Sequence, residues 1–400
     1  MVEGRKVVLG VTGGIAAYKA AELIRALVKK GAVVKVIMTA SAREFITPLT
    51  LQTLSGSPVC QDMFAPWSSG EIEHITLADF ADILVIAPAT ANIIGKIAGG
   101  IADDLLSTTV LATRAPLLLC PAMNVNMLAN RAVQENLEKL AARGYSLMAP
   151  AYGELACKVE GAGRLPDVAE IVEEIETILT EKDLAGQHIL VTAGPTREPL
   201  DPVRFITNYS SGKMGYALAL MAKRRGAQVT LVSGPTALPF PRGVTGIGVS
   251  TACEMRDAVL EHYPQASVII KAAAVADYRP AVRAAGKIKK GEGALTLSLE
   301  RNPDIIQEIG QKKGDRLLIG FAMESENLLE NALDKLRKKN MDYIVANMVT
   351  QEGAGFQSDT NIVTIIGRDG MREELPLMDK LEVADRILDK IKKHRGSVSA

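Results

Sequence analysis

A thiol with cations near it in sequence is the best candidate for chemistry in the first half of this chain. Cys157 opens the run CKVEGAGRL, with Lys158 beside it and Arg164 farther along. Neighbouring positive charge favours the thiolate, so such a thiol can act as an acid or a nucleophile, although an inert thiol fits the same run. GVTGGIAAYK at 10–19 puts glycines between a strand-like run and a helical one, where free N–H groups and the helix dipole can hold a phosphate. It lacks GxGxxG spacing, and the next strand-like run ends in Thr39-Ala-Ser41 instead of a ribose-binding acid. A mononucleotide phosphate is therefore the expected ligand, with an empty tight turn as the alternative. His74 in IEHITL, Thr90 and Asn92 in PATAN, and Asn124 in PAMN also fall near expected strand ends, where open α/β sheets bind ligands. His74 could equally be a surface residue, and Asn124 a helix cap.

Farther along, GPTREPLDPVR at 194–204 and NYSSGKMG at 208–215 bring Arg204, Asn208, Ser210, Ser211 and a helix start into one short stretch. Hydroxyls, N–H groups and a guanidinium suit an anion, although a serine-capped helix explains either serine alone. Asp277 in AAAVADYRP could meet a metal-bound triphosphate, and Lys287 in KIKK could neutralise charge during nucleotidyl transfer. KIKK also reads as a solvated basic turn, and Lys335 to Lys339 as one charged helix face.

The elements that must position these residues follow from apolar patterning. Runs rich in Val, Ile and Leu at 6–10, 33–39, 83–87 and 116–120 alternate with helical stretches at 15–30 and 126–143, which predicts βαβ units and a parallel sheet. The same grammar restarts at 187: HILVTAGPT and KRRGAQVTLVSGP repeat the order of VVLGVTGG and VKKGAVVKVIMT. Further strands are expected at 266–274, 317–321, 342–347 and 361–366. The reading is α/β: two Rossmann-like doubly wound domains at 1–184 and 185–400, joined by the polar TEKDLAGQ after an amphipathic helix. A chain of 400 residues is also longer than the roughly 250–300 at which single cores stop growing.

Composition excludes several classes. Lys plus Arg and Asp plus Glu number 46 each, so no overall field attracts nucleic acid or an anionic membrane. Four cysteines without a CxxC pair argue against a disulfide framework or structural zinc and favour a reducing cytoplasm. No signal peptide is expected at the start, and the apolar region around 83–101 is too interrupted for a membrane span.

Taken together, GGIAAYK, the His of IEHI, APATAN, PAMN and the Cys-led glycine run resemble the flavin-containing cysteine decarboxylases, in particular phosphopantothenoylcysteine decarboxylase. The resemblance implies an FMN site lined by Gly13, Thr39, Ser41, Pro88 and Thr90. His74 would serve oxidation and decarboxylation, Asn124 would hold the substrate carboxylate, and Cys157 would protonate the enethiol. Lys158 stands where this family is expected to have Gly. GPTREPLDPVR, NYSSGKMG, AAAVADYRP, KIKK, NPDI and GFAME resemble phosphopantothenate-cysteine ligase. That resemblance implies CTP activation with Mg2+ held through the CTP phosphates, metal ligands unassigned. Asn208 would orient an acyl cytidylate and Lys287 would stabilise phosphoryl charge. Ala273, Asp277, Lys287, Pro303, Asp304, Ile305, Ile306, Phe321, Lys335 and Lys339 would bind CTP. Arg204, Ser210 and Ser211 are assigned on physical grounds to the substrate phosphate.

The halves joined in this order resemble the bifunctional coenzyme A biosynthesis enzymes. That implies a homo-oligomer of decarboxylase trimers and ligase dimers, as in a dodecamer, with sites shared between copies and no nucleic-acid or membrane partner. Two rivals stand beside this reading: a flavoprotein binding module that has lost its chemistry, and a flavin prenyltransferase-like first half.

Overall fold

The computed structural model describes residues 2–64, 72–156, 158–290, 294–324, 328–348, 355 and 357–398. The chain divides into two compact units, 1–180 and 181–400, and the division follows the end of the helix Val168–Leu179.

In the first unit six strands lie in the order Val59–Cys60, Val33–Met38, Lys6–Val11, Ile83–Ala89, Leu117–Pro121, Ser146–Leu147, and every neighbouring pair is parallel. A parallel sheet is covered on both faces, which is why these strands read as continuous apolar runs. Every residue of Ile83–Ala89 is buried. The covering helix Lys19–Lys29 turns Ala20, Leu23, Ile24 and Leu27 inward at helical spacing. Burying each of its larger apolar side chains contributes roughly 1.5–3 kcal/mol.

Two expected helices differ. The stretch at 15–30 begins as a 3-10 turn, Ile15–Tyr18, with Ala17 N–H donating to Gly14 O at 2.8 Å, before the α-helix starts at Lys19. The stretch at 126–143 is two helices, Val125–Ala129 and Arg131–Ala142, because Asn130 leaves helical geometry and caps the second, its Oδ1 accepting from Ala132 N at 3.0 Å. The glycine run after position 157 forms the second strand of a hairpin: Glu160–Arg164 pairs antiparallel with Ala151–Glu154.

The second unit holds eight strands in the order Thr245–Gly248, Gln228–Ser233, His188–Ala193, Val268–Lys271, Leu317–Glu324, Tyr343–Met348, Thr360–Gly367, Arg372–Asp379. The first six run parallel and the last two join antiparallel. The helix Lys213–Arg224 packs closely on His188–Ala193, where a Cβ on Gly215 would lie 2.5 Å from Ala193 Cβ. Only glycine permits that approach. The expected strand at 266–274 stays in the sheet only over Val268–Lys271. Beyond it Ala272 N–H still donates to Thr192 O of the neighbouring strand at 3.2 Å, and Ala274 N–H donates to Gly194 O in the loop after that strand at 2.9 Å. Among the described residues no helix is long and apolar enough to cross a membrane.

Candidate functional sites

In each sheet the strand order reverses beside the first strand, and side chains beyond the carboxyl ends of the two strands flanking that point face a ligand crevice. In the first unit the crevice lies between Lys6–Val11 and Ile83–Ala89. Thr12 ties these strand ends together, its Oγ1 donating to Pro88 O at 2.7 Å and accepting from Thr90 N at 3.2 Å. Thr90 also caps the helix Ala91–Gly99, and the Ala87–Pro88 peptide is cis. A cavity of about 940 Å³ opens at these strand ends.

Gly13, Thr39, Ser41, Pro88, Thr90 and Asn124 all line this cavity. Gly13 is backed so closely by Ser41 that a Cβ there would lie 2.3 Å from Ser41 Cβ, so the turn presents backbone to the cavity. Asn124 keeps its capping role as well, with Oδ1 accepting from Asn126 N at 2.8 Å. Cys157 lies outside the described residues, while Leu155 and Ala156 before it line the cavity. Lys158 has φ of 61°, a left-handed conformation that favours glycine, and its N–H donates to Leu155 O at 2.8 Å. His74 is not brought to this cavity: it sits in the first turn of the helix Glu73–Phe80, and its buried Nδ1 has no hydrogen-bond partner among the described residues. Cys60 is no rival to Cys157, because burial, reinforced by Glu73, pushes its thiol up to about 12.

In the second unit the crevice lies between His188–Ala193 and Val268–Lys271. Two cavities open there, of about 200 and 420 Å³. Ser210, Ser211, Ala273 and Phe321 line the smaller one, at the start of the helix Lys213–Arg224. Asp277, Pro303, Asp304, Ile305 and Lys339 line the larger. Asp304 caps the helix Ile305–Lys312, its Oδ1 accepting from Gln307 N at 3.1 Å, and its Oδ2 lies 3.0 Å from Lys339 Nζ. The wall between the cavities is pinned from both sides: Asn208 Nδ2 donates to Ala274 O at 2.8 Å, and Asn302 Nδ2 donates to Ala276 O at 2.8 Å.

Five assigned residues are not brought to either cavity. Asn208 acts on the wall through its hydrogen bond, Ile306 is buried in the core, and Lys335 lies outside both linings. Lys287 is exposed on its loop. Arg204 does not join Ser210 and Ser211, because the buried carboxylate of Asp201 claims its guanidinium, with Nε and Nη2 at 3.0 and 2.6 Å. Burial would raise the Asp201 carboxyl, but the N–H groups of Val203, Arg204 and Ile288 and the Arg204 guanidinium hold it well below the usual carboxylate range.

The sequence reading missed Lys271, Lys380, Asn347 and Asn361 in the smaller cavity. Lys271 left a signal, a cation ending an apolar strand. The other three come from distant segments and left none.

Two α/β units, each with its crevice at the strand-order reversal, define a two-part protein of the nucleotide-binding α/β class. The Flavoprotein family model matches residues 1–180, and the DNA/pantothenate metabolism flavoprotein C-terminal domain model matches residues 184–394. The chain is 50% identical over 395 residues to the coenzyme A biosynthesis bifunctional protein CoaBC of Bacillus subtilis, covering 98% of this chain and 97% of that one. It is 47% identical over 388 residues to the protein of the same name from Vibrio cholerae, covering 96% and 97%. A crystal structure of the C-terminal domain of a CoaBC protein is 47% identical, covers 54% of this chain and all of that one, and has a TM-score of 0.47. The chain belongs to the bifunctional coenzyme A biosynthesis family CoaBC.

Proposed function

We propose that the second unit ligates cysteine to 4'-phosphopantothenate with CTP and Mg2+, and that the first unit decarboxylates the product to 4'-phosphopantetheine with FMN, in the cytoplasm. The observation that carries this reading is the convergence of residues far apart in sequence on one cavity per unit: Gly13, Ser41, Pro88, Thr90 and Asn124 in the first, and Asp277, Asp304 and Lys339 in the larger cavity of the second.

The first cavity suits a flavin mononucleotide. Its volume of about 940 Å³ lies within the usual range for small-molecule sites, and backbone at Gly13 and Gly14 meets hydroxyls from Thr39, Ser41 and Thr90. Bound FMN supplies reversible oxidation of the cysteinyl thiol, which turns the adjacent carboxylate into a leaving group. Asn124, on the cavity wall, holds that carboxylate. Cys157 donates the proton that completes reduction of the enethiol. His74, outside the cavity of its own unit, serves the oxidation half at the site of a neighbouring copy in a decarboxylase trimer.

In the second unit Ser210, Ser211 and the helix start hold the substrate phosphate. Asp277, Pro303, Asp304, Ile305 and Lys339 line the nucleotide pocket, Ile306 supports it from the core, Phe321 contributes from the smaller cavity and Lys335 adds charge from beyond both linings, and Mg2+ would be held through the CTP phosphates. The pantothenate carboxylate attacks the α-phosphorus and pyrophosphate leaves. The cysteine amine then displaces CMP from the acyl cytidylate that Asn208 orients. Lys287, exposed on its loop, supplies positive charge to the nucleotide of a second copy in a ligase dimer.

The test is to incubate the full chain with 4'-phosphopantothenate, cysteine, CTP and Mg2+ and to follow products by mass spectrometry. Wild type should yield 4'-phosphopantetheine, Cys157→Ser should stop after ligation, and Lys287→Ala should make little of either product. A wild type that consumes no CTP and releases no CO2 would overturn the reading.

A further inference from the structure

Lys271 is the last residue of the strand Val268–Lys271, whose preceding residues Val268, Ile269 and Ile270 are buried. The strand lies at the reversal of strand order, between His188–Ala193 and Leu317–Glu324, so its end is presented to the ligand crevice. Its side chain lines both cavities of the second unit. Among the described residues its Nζ makes no hydrogen bond or ion pair. The other two lysines on the smaller cavity are engaged: Lys213 Nζ lies 2.6 Å from Asp359 Oδ1 and donates to Gln357 O at 2.8 Å, and Lys380 donates to the carbonyls of Gly355 and Ser358.

Lys271 is half-buried; a cation partly withdrawn from water without a partner is costly, and the cost is recovered when an anion supplies the partner. The described lining of the smaller cavity contains Lys213, Lys271 and Lys380 but no carboxylate. We propose that Lys271 contacts the substrates of the ligation step, its ammonium bridging the two cavities and binding the phosphoryl group at which the nucleotide is cleaved. This rests on the ligase reading above.

The chemistry places a demand at that point. A carboxylate oxygen forms a bond to the α-phosphorus, the bond from that phosphorus to the bridging oxygen breaks, and pyrophosphate leaves with the electron pair. No proton is transferred. Negative charge instead accumulates on the leaving oxygen, and a fixed cation with no competing partner stabilises it without rearranging.

The charges around Lys271 set its titration. Lys335 lies on the helix Leu328–Lys338 and Lys339 just beyond it, Asp304 starts the helix Ile305–Lys312, and Asp277 follows the strand. Arg301 lies on the larger cavity, and Lys213 and Lys380 on the smaller. Burial first, and then the like charge of Lys339, bring the Lys271 ammonium down to about 8, against the pull of Asp304 and Asp277. In the free enzyme the cation is present below that value and lost above it.

The experiment compares full-length wild type, Lys271→Met and Lys271→Arg in three measurements: calorimetric binding of inorganic pyrophosphate with Mg2+, pyrophosphate release from CTP and 4'-phosphopantothenate from neutral to about pH 9.5, and melting temperature. Lys271→Met should melt at or above wild type, since it removes a partnerless cation, while binding pyrophosphate about 10-fold more weakly and turning over about 100-fold more slowly. Lys271→Arg should retain pyrophosphate binding and lose the alkaline fall near pH 8, because guanidinium stays charged. Undiminished pyrophosphate affinity and turnover in Lys271→Met would overturn the proposal, as would a melting point well below wild type, which marks a structural lysine. A wild type that binds pyrophosphate with the same dependence on Lys271 but forms no acyl cytidylate would overturn the ligase reading and keep the phosphoryl contact.

Discussion

Asp201 and Arg204 together grip one peptide unit on each side of Ile288. Asp201 Oδ2 accepts from Ile288 N at 3.1 Å and from Arg204 Nη2 at 2.6 Å, and that same Nη2 donates to Ile288 O at 2.6 Å. The loop at 194–204 thereby holds the segment that carries Lys287. Ala284 N–H on Leu200 O, at 2.9 Å, adds a second tie.

If Lys287 acts from this clamped loop, loosening the clamp should slow ligation without touching a substrate. Asp201→Ala should lower ligase turnover by about 100-fold, the scale on which small misplacements act, and leave decarboxylation of supplied 4'-phosphopantothenoylcysteine unchanged. The pH dependence has a defined sign. The Asp201 carboxyl is held below its ordinary value, so its contribution is complete above the ordinary carboxylate range and is lost only as pH falls through the lower folded value. Ligase activity measured just below neutrality should therefore show no acid loss that Asp201→Ala removes.

Gly13 faces the first cavity with Ser41 directly behind it. A methyl group there must displace Ser41 or swing into the cavity, and overpacking of this kind costs about 1–3 kcal/mol. Gly13→Ala should purify with much less bound flavin than wild type, read from the oxidised-flavin absorbance, while its ligase rate stays at the wild-type level.

Lys158 occupies left-handed backbone at the hairpin tip. Lys158→Gly removes a conformational cost of about 1–2 kcal/mol from the folded tip, partly offset by the greater freedom of glycine in the unfolded chain. Thermal unfolding should show equal or slightly higher stability. Decarboxylation should continue, because the proposed acid is Cys157.

Thiol labelling provides an independent check on local packing. Burial, with Glu73, raises Cys60 to about 12, and burial raises Cys120 further. At mildly alkaline pH, iodoacetamide followed by peptide mass mapping should leave both residues unmodified in the native protein and label both after denaturation. Rapid native labelling of Cys60 would contradict the described packing.

Much of the architecture was legible in the sequence because parallel strands buried on both faces are near-continuous apolar runs, as Ile83–Ala89 is throughout and as Lys6–Val11 and His188–Ala193 are after their first residue, apart from Thr192. Helix breaks were less legible. Asn130 and the turn after Gly14 interrupt patterns whose apolar spacing continues across them, since capping geometry is set by one side chain and leaves the periodicity intact.

The residue types needed for phosphate, flavin and nucleotide chemistry, and the order of the two halves, were determined by the sequence itself, because motifs such as GGIAAYK and NYSSGKMG are contiguous and each lies at one strand end. Which residues share a cavity was decided only by the tertiary structure. Lys271, Asn361 and Lys380, far apart in sequence, share the lining of one cavity, whereas His74 and Lys287 lie apart from the cavities of their own units. Sheet order and loop docking are long-range pairings, and linear spacing carries no record of them.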